Sequence, residues 1–524
     1  MGQEPTPHRA LRAAVPWATV TAILLVSCTS TDSAMDRSPQ DASTSASDTS
    51  LTDARAVDGG TPTPGECDRA LRAIGDEWDR VQDDLAKPIQ DYTNGPGALY
   101  YAQSFVSNFL HLASIQKRGE WLRDLMVAYQ EAAPHLKTLS QYPKVQVGTI
   151  TLSRPMKMWP DKDGVEVVLS SSQFLYAVTL LLHGAGTLEA LRDDATAKGF
   201  LATYLDVALR DHLLRWIFAK DASHGVFGGR WPACEPANTL FDHSAFIDRL
   251  RANTATSYCN AVSDTDLLIA SSAVHLLALY DQEPGVFKTH APAVTPAEME
   301  DLRAYVGRVW ALVRSRTVYG TALDETGGTV EVATFDPYGY DAYPDHQYAD
   351  YTGDKHPFDG QNLPPQPGTG TGWDISHGRR LVLFYDSIRR TGADSLAGVV
   401  DPQQVARALG AHGRAMAYRV YRGDNKRAAF ANYLDGTDGW YRVGKTAGGV
   451  LYGYEPGSWA LGRSFLMGGY ASWAVWSPRL VSIWNLAVAR EDEGESPRYT
   501  GIGRVPTDTL QVMASDPALL GCAP

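Results

Sequence analysis

From Cys67 to Ala489 the chain is a succession of stretches in which apolar residues recur every three or four positions. That period fits amphipathic helices, and there is little sign of the alternation that strands need. Between Cys67 and Lys87, for example, Leu71, Ile74, Trp78, Val81 and Leu85 share one helical face. The same reasoning predicts helices over Tyr100–Gln116, Glu120–Leu139, Leu169–His183, Phe200–Phe218, Asp264–Tyr280 and Pro296–Val313. It also predicts them over Asp374–Arg390, Pro402–Arg422, Ser458–Ala474 and Pro478–Ala489. Leu169–His183 is apolar nearly all round and reads as a buried helix; His183 and His275 read as core residues. Ser263 or Asp264 reads as a helix cap. Short and long connections alternate without a strict repeat, which disfavours a solenoid. The expected fold class is mainly α, and 44% hydrophobic residues suffice for a core.

The N-terminus points outside the cytoplasm. Arg9 and Arg12 precede an apolar run ending at Val26 that is short of the roughly 20 residues a spanning helix needs. Leu25-Val26-Ser27-Cys28 resembles the lipobox of bacterial lipoproteins. That resemblance implies a signal peptide over 1–27, cleaved before Cys28, and a lipidated, palmitate-bearing Cys28 as a membrane anchor at the cell surface or in the periplasm. Residues 28–65 are rich in Ser, Thr and Asp and read as a disordered tether, leaving 66–524 as the folded domain. A net charge of −13 makes nucleic acid a poor partner. With Cys28 lipidated, Cys67, Cys234, Cys259 and Cys522 remain, an even number that suggests two disulfides in an exported protein. Cys234–Cys259 would clasp a local loop, and Cys67–Cys522 would tie the ends of the domain. Without a CxxC spacing no metal site is expected.

Three loop clusters carry the candidate chemistry. Trp373-Asp374-Ile375-Ser376-His377-Gly378-Arg379-Arg380 follows a Gly/Pro loop and opens a helix, for which Asp374 is the expected N-cap. Trp373 is suited to stack on a sugar, Arg379 or Arg380 to pair with a carboxylate, and Asp374 or His377 to move a proton. The stretch Asn432–Arg442 concentrates Tyr433, Asp435, Trp440, Tyr441 and Arg442 in a turn-rich loop. Tyr433 or Tyr441 would serve as acid or base if Arg442 lowered its pKa, and Asp374 with Asp435 would form the carboxylate pair of a hydrolase. The third cluster, Phe335–Tyr351, alternates aromatics such as Tyr338 and Tyr340 with carboxylates, a pattern suited to sugar stacking. Its carboxylates offer Ca²⁺ ligands but not at EF-hand spacing; no other cofactor is expected.

The helical hairpins and long loops resemble the (α/α)-toroid glycan-active enzymes: uronate polysaccharide lyases of the heparinase and alginate lyase type, glucuronyl C5-epimerases and several glycoside hydrolases. The resemblance is architectural and spans about Cys67 to Ala489; the Asn-Asn-His pair of the alginate lyases is missing. It implies an (α/α)6-type toroid with long loops at one end. The function it implies is cleavage of an acidic polysaccharide or oligosaccharide by a monomeric, membrane-anchored enzyme, a lyase ahead of a hydrolase. The alternative is a non-catalytic surface lipoprotein that binds glycan or protein. The two readings part on whether Asp374, His377, Asp435 and Arg442 converge.

Overall fold

The computed structural model describes residues 62–90, 97–139, 145–147, 150–160, 164, 166–218, 262–336, 344–359, 363–368, 370–447, 450–492, 510–520 and 522. The expected signal peptide, Cys28, nearly all of the tether, the Cys234–Cys259 clasp and both Tyr338 and Tyr340 lie outside the described residues.

The fold is mainly helical. Helices α1 (Pro64–Gln90), α2 (Gly97–Ile115) and α3 (Gly119–Gln130) pack against one another, and α2 and α3 lean on α4 (Val168–Thr187). Helix α5 (Ala195–Asp206) runs through a π turn (Val207–Leu214) into Arg215–Phe218. Then come α6 (Asp264–Gln282), α7 (Pro284–His290), α8 (Pro296–Arg316), α9 (Arg379–Asp386), α10 (Pro402–Ala415), the short α11 (Trp459–Gly462) and α12 (Ser464–Met467), α13 (Arg479–Asp492) and α14 (Pro517–Leu520). The heart of the molecule is the pairing of α4 with α6, flanked by α2, α5, α8 and α9. By length and composition α4 would cross a membrane, yet 89% of its apolar window is buried in the fold. Buried on all sides, it carries Phe174, Leu175, Leu181 and Leu182 with no polar stripe to face water.

Local chemistry marks several helix starts. Ser263 and Asp266 form a reciprocal capping box at α6, Thr295 and Glu298 form another at α8, and Asp194 and Asp401 cap α5 and α10. Each such cap stabilises its helix by about 1 kcal/mol.

Strands occur only as small antiparallel pairs among the described residues. Lys137–Thr138 (β1) pairs with Lys157–Met158 (β4), and Val145–Val147 (β2) with Ile150–Leu152 (β3). Thr317–Leu323 (β5) pairs with Thr329–Phe335 (β6), from Thr317 opposite Phe335 to Leu323 opposite Thr329. Tyr441–Ala447 (β7) pairs with Val450–Tyr454 (β8) through a bulge between Tyr441 and Lys445. β7 begins at the end of the turn-rich loop Asn432–Arg442.

Other boundaries also differ from expectation. The helix expected over Glu120–Leu139 stops at Gln130, where Ala132, Ala133 and Pro134 lead into β1. Ser458–Ala474 breaks into α11, α12 and a 3-10 turn (Tyr470–Val475); Gly469, with a left-handed φ of 76°, separates α12 from the 3-10 turn. The expected helix from Asp374 starts instead at Arg379, after a turn.

The first and last described segments of the folded region meet. Cys67 in α1 is disulfide-bonded to Cys522, with Cα atoms 5.9 Å apart. Gln116 Nε2 donates to Cys522 O at 2.8 Å, and Asn108 Nδ2 donates to Gln511 O at 3.0 Å, so the last segment is also hydrogen-bonded to α2 and its C-terminal end. Because the bond closes a 455-residue separation, it restricts the unfolded chain strongly. Replacing both cysteines by serine should cost about 2–5 kcal/mol, read as a lower unfolding temperature in calorimetry that reductant no longer changes.

Candidate active site

Two loops far apart in sequence are joined by backbone hydrogen bonds. Ile375 N donates to Asn432 O at 2.9 Å and Leu434 N to Trp373 O at 2.7 Å, which sets Asp374 beside Tyr433 as an antiparallel bridge. A third segment, around 344–351, joins through the Tyr348–Trp440 bridge and through Trp440 N donating to Tyr351 O at 3.1 Å. The approach is so close that a Cβ on Gly439 would lie 1.8 Å from Ala349 O, so this position requires glycine.

Asp374 sits at this junction, 1% exposed. Its Oδ1 accepts from Ser376 N at 3.0 Å, from His377 N at 3.1 Å and from the Ser376 hydroxyl. It therefore caps the tight turn that precedes α9 rather than α9 itself, whose N-cap position is Gly378. Its Oδ2 accepts from His377 Nδ1 at 2.8 Å. Burial pushes the Asp374 carboxyl upward, but the charge and hydrogen bond of His377, followed by His346 and Ser376, outweigh it. The carboxyl is held well below the usual carboxylate range.

On the far side of the imidazole, Arg442 Nη2 lies 3.4 Å from His377 Nε2. A guanidinium only donates, so these partners place the neutral imidazole's proton on Nδ1 and leave Nε2 as the acceptor. His377 is 25% exposed by side chain, whereas the carboxylate behind it is enclosed. Tyr441 OH stands 3.0 Å from Nδ1, and Arg442 Nε donates to Asp345 Oδ2 at 2.9 Å. Arg442 has a φ of 58°, a left-handed value that costs any residue bearing a Cβ conformational energy, and it sits in the bulge of β7. Strain of this kind often gathers where a side chain is being aimed. His346 closes the back of the site, its ring 5.2 Å from Tyr433 and 5.8 Å from Tyr441, its Nε2 4.0 Å from Asp374 Oδ2. Burial pulls its pKa down to about 4, so it is neutral at neutral pH.

The expected site residues separate into two groups. Asp374, His377, Tyr441 and Arg442 converge. The others take structural positions. Trp373 is 1% exposed and packs on Phe335 at 5.0 Å, so it has no face free for a sugar. Trp440 is buried, with its Nε1 donating to Gly353 O. Tyr433 is 0% exposed and donates its hydroxyl to Trp440 O at 3.0 Å. Burial and Asp374 push its phenol well above the ordinary value, opposite to the lowering by Arg442 that an acid–base role requires. Tyr441 is likewise buried and positions the imidazole. Asp435 accepts from Thr437 N and Oγ1 at 3.1 and 2.6 Å, fixing its own turn. Arg380 is buried, donating to Ser376 O at 3.0 Å and Tyr100 OH at 3.1 Å. Arg379 is half-buried, and burial followed by Arg380 pulls its guanidinium down to about 10. Asp345, His346, Ser376 and Tyr100 were not singled out from the sequence. Asp345 and His346 stand within the aromatic and acidic third cluster, the one signal that pointed toward them.

An imidazole held by an enclosed carboxylate, with its free nitrogen beside a guanidinium, is equipped to take a proton next to an anionic group. No cluster of three or more metal-binding side chains stands among the described residues. Comparison with protein-family models, curated proteins and solved structures finds no match to this chain.

Two outcomes follow. Asp374→Ala strands four donors and should lower stability by about 1–3 kcal/mol in urea unfolding. The pH dependence has a fixed sign. An unfolded histidine titrates near about 6.5, whereas folded His346 titrates at about 4. The unfolded chain binds more protons between these values, so stability is complete above them and falls with pH through this window. Buried His212 and His412, also lowered to about 4, add to that slope. Asp374, lowered from its unfolded value, extends the loss to still lower pH. His346→Phe should therefore shallow the upper part of the unfolding-temperature profile, and Asp374→Asn the lowest part.

Proposed function

We propose that this chain is a surface-anchored carbohydrate-active enzyme, built on an (α/α) toroid, that cleaves an acidic polysaccharide by β-elimination at a uronate. The observation that carries the reading is the line Asp374–His377–Arg442, with distances of 2.8 and 3.4 Å. Arg442 pairs with the uronate carboxylate and offsets its charge, which acidifies the neighbouring C5 proton. His377 Nε2 takes that proton. The C5–H electrons become the C4–C5 double bond as the C4–O bond breaks. The imidazolium, steadied by Asp374, returns the proton to the leaving oxygen. Tyr441 and Ser376 hold the ring and carboxylate in place, and Arg379 offers a second cation two residues from His377.

A hydrolase is less well supported, because it needs two carboxylates flanking the bond. Asp374 is enclosed, Asp435 is held by Thr437, and Asp345 is paired with Arg442. A purely binding surface has no need of an enclosed carboxylate orienting a histidine. The toroid draws support from the packing of α2, α5, α8 and α9 around the α4–α6 pair and from site residues contributed by inter-helix loops. Acylated Cys28 and the tether would present the enzyme, as a monomer, at the membrane.

The test is ultraviolet detection of unsaturated uronate on a panel of acidic glycans. His377→Ala and Arg442→Met should each lower kcat/KM by about 10²–10⁴-fold, and Asp435→Asn should leave it near wild type. Failure of the wild type to make unsaturated product from any uronate glycan, or full activity in His377→Ala, overturns the reading.

A further inference from the structure

Away from the candidate active site, the π turn that follows α9 (Ser387–Thr391), the loop after it and the start of α10 form a pocket of about 150 Å³ that opens to solvent beside the exposed Ala393 and Pro402. Ile388, Leu396, Val400, Val405 and the half-buried Trp476 make it apolar. A cavity of that size lined by aliphatic side chains takes a molecule about as large as benzene. One charged group joins this wall, Arg389.

The charge balance around Arg389 is uneven. Asp386 is its carboxylate partner, with Arg389 Nη2 3.6 Å from Oδ1, beyond hydrogen-bond length. Arg390 Nε lies 3.6 Å from the same oxygen, and the Ser472 hydroxyl donates to Oδ2 at 3.1 Å. One carboxylate thus serves two guanidiniums, leaving a positive surplus beside the pocket. Arg389 Nε is buried and makes no hydrogen bond. Burial and then Arg390 push the Arg389 pKa downward, a stress that a bound anion would relieve. The nearest helix start, α10, is already capped by Asp401, which accepts from Gln403 N at 2.9 Å, so the guanidinium, sharing its carboxylate with Arg390, and not the helix end is what this pocket offers an anion.

From this combination we infer that the pocket is a binding site for a small monocarboxylic acid with a compact apolar body. The ring or short aliphatic portion fills the space beside Leu396, Val405 and Trp476, and the carboxylate meets Arg389. The site is separate from the proposed uronate chemistry. It would take a free acid too small and too apolar to be a sugar, either as an effector or as cargo.

Calorimetric titration of the full chain with benzoate, and with benzamide as its neutral counterpart, tests the assignment. Benzoate should bind about tenfold or more tighter, as a hydrogen bond to a charged group warrants. Arg389→Met keeps the apolar stem and should erase that preference. Ala406→Trp, which fills the pocket from α10, should abolish binding of both, while His377→Ala should leave benzoate binding unchanged. If Ala406→Trp does not fold, magnetisation transfer from the Trp476 indole to wild-type-bound benzoate makes the same decision, and transfer is expected. Equal binding of benzoate and benzamide, no binding of either, benzoate binding that survives Ala406→Trp, or no transfer from Trp476 overturns the inference.

Discussion

A single buried carboxylate governs how this end of the molecule is put together. Removing the Asp374 charge from water is worth several kcal/mol of penalty, and the fold keeps it because donors converge from its own turn. Each donor is geometrically demanding. Ser376 N and His377 N reach Oδ1 only if the chain turns sharply before α9, and His377 Nδ1 reaches Oδ2 only if the imidazole lies back along that turn. The carboxylate thus sets the position of the imidazole, and the imidazole in turn gives Arg442 a partner. Remove the charge and the turn loses the acceptor its donors converge on; remove the turn and the charge is stranded.

The surroundings are arranged to keep that charge dry. Trp373, Tyr433, Tyr470 and the neutral ring of His346 enclose Asp374, and Tyr470 donates to Ile375 O at 2.7 Å. Low polarity around the carboxylate strengthens its hold on His377, as it strengthens any close electrostatic contact. The aromatics that looked suited to a sugar-binding surface instead make the insulating wall behind the reactive groups. In the proposed chemistry the working groups lie one layer further out, at the partly exposed imidazole edge and at Arg442.

That displacement also explains what was legible in the sequence. The helical character followed from apolar periodicity, which is local, and α4 could be recognised as buried because it lacks a polar face. Asp374 and His377 could be paired in advance because three positions separate them. The meeting of the 374 and 433 loops was anticipated as a condition of activity, but its geometry was not readable, since the Asp374–Tyr433 bridge joins residues nearly sixty apart. Asp345 and His346 come from a third segment still, and no local pattern specifies that they reach Arg442 and Asp374. Trp373 and Tyr433 were misjudged for a different reason. Aromatic side chains in a Gly-rich loop carry the same local signature whether they face a ligand or the interior, and only tertiary burial separates the two. The β7–β8 hairpin hid in the same way, because the Gly and Tyr along its strands also compose irregular loops.

The interior beneath the site follows a comparable logic of paired polarity. His275, on α6, contacts Thr179 of α4 through Nδ1 and Ser387 of the α9 extension through Nε2, each at 3.0 Å, and Tyr176 meets His111 of α2. Four helices are therefore tied by hydroxyls and imidazoles that have almost no water to fall back on. Such contacts add little net stability, since each replaces bonds to solvent. Their effect lies in what they forbid: sliding α6 by one turn past α4 would leave buried ring nitrogens and hydroxyls unmatched, at about 1–3 kcal/mol for each stranded group. An apolar interface of Leu and Val alone would tolerate that slip far more easily, because dispersion is nearly indifferent to register. Alignment of α9 against α6 is what carries the turn at Asp374 to its place opposite Arg442, so the polar pairs in the core and the charged pair at the rim constrain the same helix from its two ends.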